Sequence, residues 1–321
     1  MSGEADMSSD LLPRFDSRSE STNPLVSIII PVFDRVGVLP RAVESVLRQT
    51  WRDWELVICD DASRDDTAEI ARTFAERDRR IHLLRQEENL GAAVARNTAM
   101  ESAKGKYVAF LDSDDEWMPE KLARQVQVME GLPDGVGICF TGARYLINDC
   151  RWTDVIPKRE WETDTLEQFV DGTIAYTTSS ILFRRICLET VGGMTPALRR
   201  GQDDDWLVRF FMHYGLVTMP EALVVMHLCT LHKRTYSHTV AKADYMIASY
   251  YDTIERRCGR RCAALFKGKL LMEVATRAFM EHRWGAGLRY VAMAQRGCPL
   301  QRRPVYLRLF RSFLHGLWHW E

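Results

Sequence analysis

Two hydrophobic patterns alternate along the first half of the chain. Residues 25–33 form an apolar, β-branched run interrupted only by Ser27, and residues 54–59 form a second that holds Glu55. Neither run alternates with polar positions, which predicts strands covered on both faces, as in a parallel sheet. Shorter apolar runs at 81–84 and 107–111 predict two more strands. Between the runs the apolar spacing becomes helical: in 36–49, Val36, Leu39, Ala42, Val43, Val46 and Leu47 share one side. Residues 65–77, 91–104 and 119–130 read as further helices. Pro119 sits in the first turn of the last one, where a missing amide N–H is tolerated. Strands alternating with helices predict an α/β domain with a mainly parallel sheet and helices on both faces.

Residues 135–231 are more mixed. Strands are predicted at 136–146, 176–183 and 222–228, and an amphipathic helix at 203–214 that opens on three acids, which suits a helix N-terminus. From 241 onward the pattern is helical, with Arg throughout and an aromatic end at Phe313, Trp318 and Trp320. Residues 1–23 are polar and lack the basic start and apolar run of a secretory signal, so they read as a disordered leader. No stretch reaches 18 apolar residues, so no membrane span is predicted. Eight scattered Cys without a secretory signal fit the reduced thiols of a cytoplasmic protein. Cys258 and Cys262 are four apart, but no second pair accompanies them, and idle thiols are the simpler reading than a metal pair.

Charge changes this picture in one respect. The 321 residues carry 43 basic and 44 acidic side chains, a net of −1 that excludes a nucleic-acid binder working by bulk positive charge. Residues 240–321, however, hold 15 basic and 6 acidic residues, a net of +9, which leaves −10 for the remainder. An acidic body is joined to a basic tail, and such a segment usually has its own partner or surface.

In a parallel α/β sheet, ligands bind outside the carboxyl ends of the strands. Those ends carry Phe33-Asp34, Asp60-Asp61 and Asp112-Ser113-Asp114-Asp115, so three strands aim acids at one edge. No Gly-x-Gly-x-x-Gly follows the first strand and no Gly-Lys-Ser/Thr loop is present, which argues against dinucleotide dehydrogenases and P-loop enzymes. Carboxylates two apart on a turn can share a hard divalent cation; equally, Asp can cap a helix. Arg96, near the start of the 91–104 helix, could reach a diphosphate or lie on a plain surface helix. The acids after Gln202 could include a general base or simply complement the helix dipole.

Taken in order, these segments resemble the family 2 glycosyltransferases, inverting nucleotide-sugar transferases with the GT-A fold, over about 24–231. The residues carrying the likeness are Val26 to Asp34, Ser45 to Thr50, Glu55 to Ser63, Asn89-Leu90-Gly91 with Ala95-Arg96-Asn97, Gly105 to Asp115, Val191 to Met194, and Gln202 to Arg209. The resemblance implies a nucleotide-sugar half at about 24–116 and an acceptor half at about 117–239; the basic helical extension at 240–321 lies outside it. It implies that Pro31 and Phe33 line the base pocket and that Asp61 accepts the base N3–H, with Asp60 supporting the turn. Arg96 would lie near the diphosphate, Asp112 and Ser113 near the ribose and sugar, and Asp114 on Mn²⁺ or Mg²⁺. Asp203 would be the general base. Asp34 stands where the family usually has Asn, and Gln202 where it usually has Glu. Asp204 and His232 are further candidates, His232 for the histidine that often follows the last core strand.

The implied reaction is a single, metal-dependent, inverting transfer from a nucleotide sugar to a glycan or lipid-linked acceptor in cell-surface polysaccharide synthesis. A uracil or thymine base is favoured because both present an N3–H to Asp61. Two alternatives compete. A nucleotidyltransferase would show a Gly-rich basic loop after the first strand, where this chain has Pro31-Val32-Phe33-Asp34-Arg35. Against a nucleotide-sugar-binding protein without turnover stand the carboxylates at 61, 114 and 203 taken together. The tail's charge and terminal Trp residues suit peripheral docking on the inner face of a membrane; the alternative is a helical bundle packed on the catalytic domain or on a second subunit.

Overall fold

The apolar runs become the centre of a sheet with a core on each side, and their two polar members pair, Ser27 Oγ donating to Glu55 Oε1 (2.6 Å). The computed structural model describes residues 24–147, 151–155, 161–162, 165–170, 174–228 and 235–297. Its first half alternates β1 (Val26–Val32), α1 (Leu39–Leu47), β2 (Trp54–Asp60), α2 (Thr67–Arg77), β3 (Ile81–Arg85), α3 (Ala92–Ser102) and β4 (Tyr107–Phe110). Then follow β5 (Asp115–Trp117), α4 (Lys121–Glu130), β6 (Val136–Ile147), β7 (Arg151–Val155), β8 (Trp161–Glu162) and α5 (Leu166–Val170). A 3₁₀ turn at Thr178–Ser180 leads into β9 (Leu182–Arg184), α6 (Leu188–Val191), α7 (Gln202–Phe211) and β10 (Gly215–Leu228). Two last helices are α8 (Tyr236–Met280) and α9 (Trp284–Gly297).

The strand order is β3-β2-β1-β4-β9-β6-β10-β5, with β7 on β6 and β8 on β10. Strands β3, β2, β1 and β4 run parallel, and β9 lies antiparallel between β4 and β6. Alternation explains the solid apolar runs. Ile28 and Ile30 face one core with α1, α2 and α4, whereas Ile29 faces the other with α3, α5, α7 and α8. Every residue of β1 must therefore be apolar or paired, and no polar period can show.

The basic extension is helical in its described part, and it is welded to the sheet domain. Ala243, Met246, Tyr250 and Ile254 of α8 belong to the same core as Trp206 and Phe210 of α7. So do Cys262, Phe266, Leu270 and Val274, after a break at Gly259, whose φ of 85° interrupts the helix. Trp206 anchors this side, with its ring 4.9 Å from Phe183 and 5.0 Å from Phe210. The leader 1–23 and the aromatic end beyond 297 lie outside the described residues.

Two predicted strands differ. The strand expected at 176–183 is a 3₁₀ turn followed by the three-residue β9. Thr177 and Ser180 close a reciprocal capping box there, so their hydroxyls compete with a sheet ladder for the backbone. The strand expected at 222–228 begins at Gly215 and passes Pro220 through register shifts against β6. Pro has no N–H to donate to a ladder, so a break there reads as an end when it is a bulge.

Candidate active site

Register brings the predicted acids together. Val32 pairs with Asp60, and Phe110 pairs with Ile29, so Asp112, two residues further on, lies level with Pro31. Residues 31–34, 60–63 and 112–115 thus share the carboxyl edge of β1, β2 and β4. Antiparallel β9 brings Ser179 to the same edge: its Oγ accepts from the Asp112 amide (3.0 Å) and donates to Asp115 Oδ2 (2.5 Å). Pro31 and Phe33 are half-buried and Asp34 is exposed.

Each carboxylate is held differently. Asp60 is fully buried, accepts from the Ser63 amide (3.2 Å) and pairs with Arg85 Nε (3.2 Å). Asp61 accepts from the Leu90 and Gly91 amides, one on each oxygen, both at 2.8 Å. That pins the loop before α3 to the end of β2. It leaves a second lone pair on each Asp61 oxygen. Asp34 adopts φ 51°, a left-handed conformation that Asp and Asn tolerate best among non-glycines, and its Oδ1 accepts from the Arg64 amide (2.8 Å). The Asp114 carbonyl accepts from Arg41 (2.8 Å).

Arg96 is buried beneath this edge. Its Nη2 donates to Asp112 Oδ1 (2.5 Å), while its Nε is buried without a hydrogen-bond partner. Asp115, buried beside them, begins β5. Burial first, then the Asp112 charge, pushes its carboxyl well above the usual range against the Ser179 hydrogen bond. Among the described residues no group of three or more His, Cys, Asp or Glu side chains forms a metal cage. A divalent ion bound through one carboxylate plus substrate phosphates needs no such cage. His227 Nε2 lies 2.6 Å from Glu116 Oε1, across β10 and β5. His232 lies outside the described residues.

The three acids at the start of α7 separate by their partners. Asp205 is fully buried and accepts from Tyr250, Thr195 (2.7 Å) and Arg209 (3.0 Å). Asp204 accepts from Tyr176 (2.7 Å) and pairs with Lys242 Nζ (2.6 Å). Asp203 accepts from Thr178 Oγ1 (3.3 Å). Burial and then the Asp204 charge push the Asp203 carboxyl up, while Lys242 and Arg96 pull it back. Burial works against the Asp204 charge too, but Lys242 and then Lys269 overcome it and hold Asp204 at about 2. Adjacent carboxylates pushed apart in this way can divide the roles of proton acceptor and fixed charge.

Thr178, Ser179 and Lys242 were not foreseen. The run Thr177-Thr178-Ser179-Ser180 was a visible cluster of hydroxyls, but only the antiparallel β9 shows where it points. Lys242 carried no local signal at all.

A curled, mostly parallel sheet with an acidic carboxyl edge and a C-terminal helical part defines an α/β protein of the GT-A kind. The TarS 1–349 fragment from S. aureus, in complex with UDP, shares this fold with a TM-score of 0.60 at 14% identity, over 84% of this chain and 90% of that one. The mannosyltransferase PcManGT of Pyrobaculum calidifontis, in complex with GDP-Man and Mn²⁺, matches with a TM-score of 0.58 at 18% identity, over 92% and 81%. The model of glycosyl transferase family 2 matches residues 27–190, and the chain belongs to that family. It is 44% identical over 126 residues to the putative teichuronic acid biosynthesis glycosyltransferase TuaG of Bacillus subtilis (strain 168), 39% of this chain and 49% of that protein. It is 47% identical over 105 residues, 33% of this chain and 41% of the relative, to WfgD of Escherichia coli. That relative is described as a UDP-Glc:α-D-GlcNAc-diphosphoundecaprenol β-1,3-glucosyltransferase. The chain thus spans less than half the length of these two relatives. None of the helices among the described residues is long and apolar enough to cross a membrane.

Proposed function

We propose that this chain is an inverting glycosyltransferase that moves one sugar from a UDP- or dTDP-sugar to a hydroxyl of a glycan or lipid-linked acceptor in polysaccharide synthesis. The observation that carries the reading is the inequality of the three acids on α7. Asp204 and Asp205 are committed to Lys242, Tyr176, Tyr250 and Arg209, whereas Asp203 keeps acceptor capacity and a raised pKa beside Thr178. A base of this kind takes the proton from an acceptor hydroxyl as its oxygen attacks the anomeric carbon. The bond from that carbon to the diphosphate oxygen breaks, and its electron pair leaves with the nucleoside diphosphate. Attack opposite the leaving group inverts the centre.

The other residues take the roles that the family resemblance implies, and their geometry is compatible with them. Asp61, steadied by two backbone amides, offers its remaining lone pairs to the base N3–H, with Pro31 and Phe33 beside it and Asp60 bracing the turn. Arg96, poised by Asp112, faces the diphosphate, and Ser113 lies with Asp112 near the ribose and sugar. A Mn²⁺ or Mg²⁺ ion held by Asp114 and the donor phosphates would neutralise charge on the leaving group. The names of TuaG and WfgD support polysaccharide or lipid-linked acceptors, and a peripheral membrane contact through 240–321 would place the enzyme where such acceptors reside.

The test is release of nucleoside diphosphate from a panel of nucleotide sugars, with divalent metal and a glycan or diphospholipid acceptor. Turnover by the wild type is expected, and Asp203→Asn should lower kcat by roughly 10²–10⁴-fold. Binding of nucleoside diphosphate without transfer to any acceptor would point to a scaffold. An unchanged rate in Asp203→Asn would remove the base assignment.

A further inference from the structure

The cluster behind Asp203 is built from the tail. Lys242, on the first segment of α8, lies outside the residues matched by the family model. Its Nζ is 2.6 Å from Asp204 Oδ2 and 2.9 Å from Glu273 Oε2 on the second segment, with 12% of its side chain exposed. Tyr176 donates to the other Asp204 oxygen. Lys269 of α8 lines the same small cavity of about 10 Å³, together with Asp204, Lys242, Glu273, Phe169 and Phe266. A space of that size holds about one water and no substrate. The cluster is therefore an internal strut and not a ligand site.

The chain gives way to admit Lys242. Gly201, the residue before α7, adopts φ 71°, and a Cβ there would lie 2.6 Å from the Lys242 Cδ and Cε. The position thus requires glycine twice, once for its backbone and once for the lysine stem. Two adjacent carboxylates at a helix start would otherwise repel each other, and a fixed cation on one of them decides which stays charged.

We propose that Lys242 is a positioning residue for Asp203: by clamping Asp204 between α7 and both segments of α8, it fixes the base's first helical turn and sets its charge environment. The proposal rests on Asp203 being the base. The groups facing the pair are Tyr176 and Thr178 before β9, Lys242, Lys269 and Glu273 on α8, and Arg96 on α3. Loss of Lys242 removes an attractive charge from Asp203, so protonation persists to higher pH. Loss of the Asp204 charge acts in the opposite direction.

The experiment is the pH profile of kcat/KM for nucleotide-sugar turnover in the full chain. Lys242→Met should move the acid limb up by roughly one pH unit, and Asp204→Asn should move it down. Lys242→Arg should hold the limb at its wild-type position. Gly201→Ala, which crowds the stem, should move it in the same direction as Lys242→Met. Circular dichroism and thermal melts identify any variant that fails to fold, and the remaining variants then carry the test. A limb that stays fixed in folded Lys242→Met, or that moves the same way in Asp204→Asn, overturns the proposal while leaving the transferase reading intact. A wild type inert toward every donor overturns the transferase reading instead, and this proposal with it.

Discussion

Three consecutive aspartates on one helix turn show how much a residue's role depends on its partners. By composition Asp203, Asp204 and Asp205 are equal, and the run alone fits a dipole complement as well as a base. Helical geometry sends successive side chains about 100° apart, so each acid meets a different neighbour. Asp205 turns into the core and meets Tyr250, Thr195 and Arg209. Its removal leaves buried donors unpaired and breaks a largely buried ion pair. Asp205→Ala should therefore lower unfolding free energy by about 3 kcal/mol. Asp203→Ala, with one side-chain hydrogen bond and partial exposure, should cost less than about 1 kcal/mol while it abolishes turnover. Urea melts of the two variants check this; equal losses of stability would mean that Asp203 is structural too. The sequence singled out the position of Asp203 only by resemblance, because no local pattern tells which of three acids faces inward.

Elements were legible where a pattern extends over several residues, and illegible where a partner distant in sequence makes them. Strands β1 to β4 and helices α1 to α4 follow from apolar runs and helical spacing. Three-residue β5 and β9 have no pattern of their own and exist because β10 and β4 pair with them. The start of α4 holds a further surprise, since Lys121 is fully buried. Its Nζ donates to Gln125 Oε1 (2.7 Å) and sits 3.9 Å from the Trp117 ring centroid, while Gln125 bonds the carbonyls of Cys139 and Ser180. Burial brings the Lys121 ammonium down from 10.5 to about 7. The folded state then binds fewer protons than the unfolded state between about pH 7 and 10.5. The stabilisation is present above that window and is lost as pH falls through 7, by at most about 1.4 kcal/mol per pH unit. Lys121→Met should accordingly be more stable than wild type at pH 6.5, with the gap closing toward pH 9. Denaturant titrations across that range decide it, and a gap that does not change with pH would show that Lys121 keeps its proton throughout.

At the scale of the whole molecule, the near-zero net charge conceals two surfaces. Asp34, Asp60, Asp61, Asp112, Asp114 and Asp115 gather at the carboxyl edge of the sheet, where the proposed donor would meet them. The tail was legible as basic and helical, but its division of labour was not. The first part, α8, supplies core residues and Lys242, so truncating the chain at Ala241 would strip the body of packing and test nothing about a membrane. The second part differs. From His282 to Trp320 the chain holds seven Arg and no Asp or Glu. Helix α9 also leaves Trp284 and Leu288 48% and 64% exposed, with Met280 and Met293 exposed nearby. Exposed apolar side chains beside an excess of arginine, of which Arg283 also pairs with Glu281, suit docking on an anionic bilayer. Vesicles of phosphatidylglycerol and phosphatidylcholine should therefore co-sediment the protein at low salt and release it as salt rises. Trp284→Ala with Leu288→Ala should weaken binding severalfold, since each loses apolar area that would enter the headgroup layer. Removal of residues 298–321, with four of the arginines and Glu321, should weaken it by roughly 10²–10³-fold at about 1 kcal/mol per charge, while leaving α8 on its core. Sedimentation that is unaffected by either change would place the membrane contact elsewhere on the molecule. Binding equally strong to neutral vesicles would mean that the arginines serve a different partner.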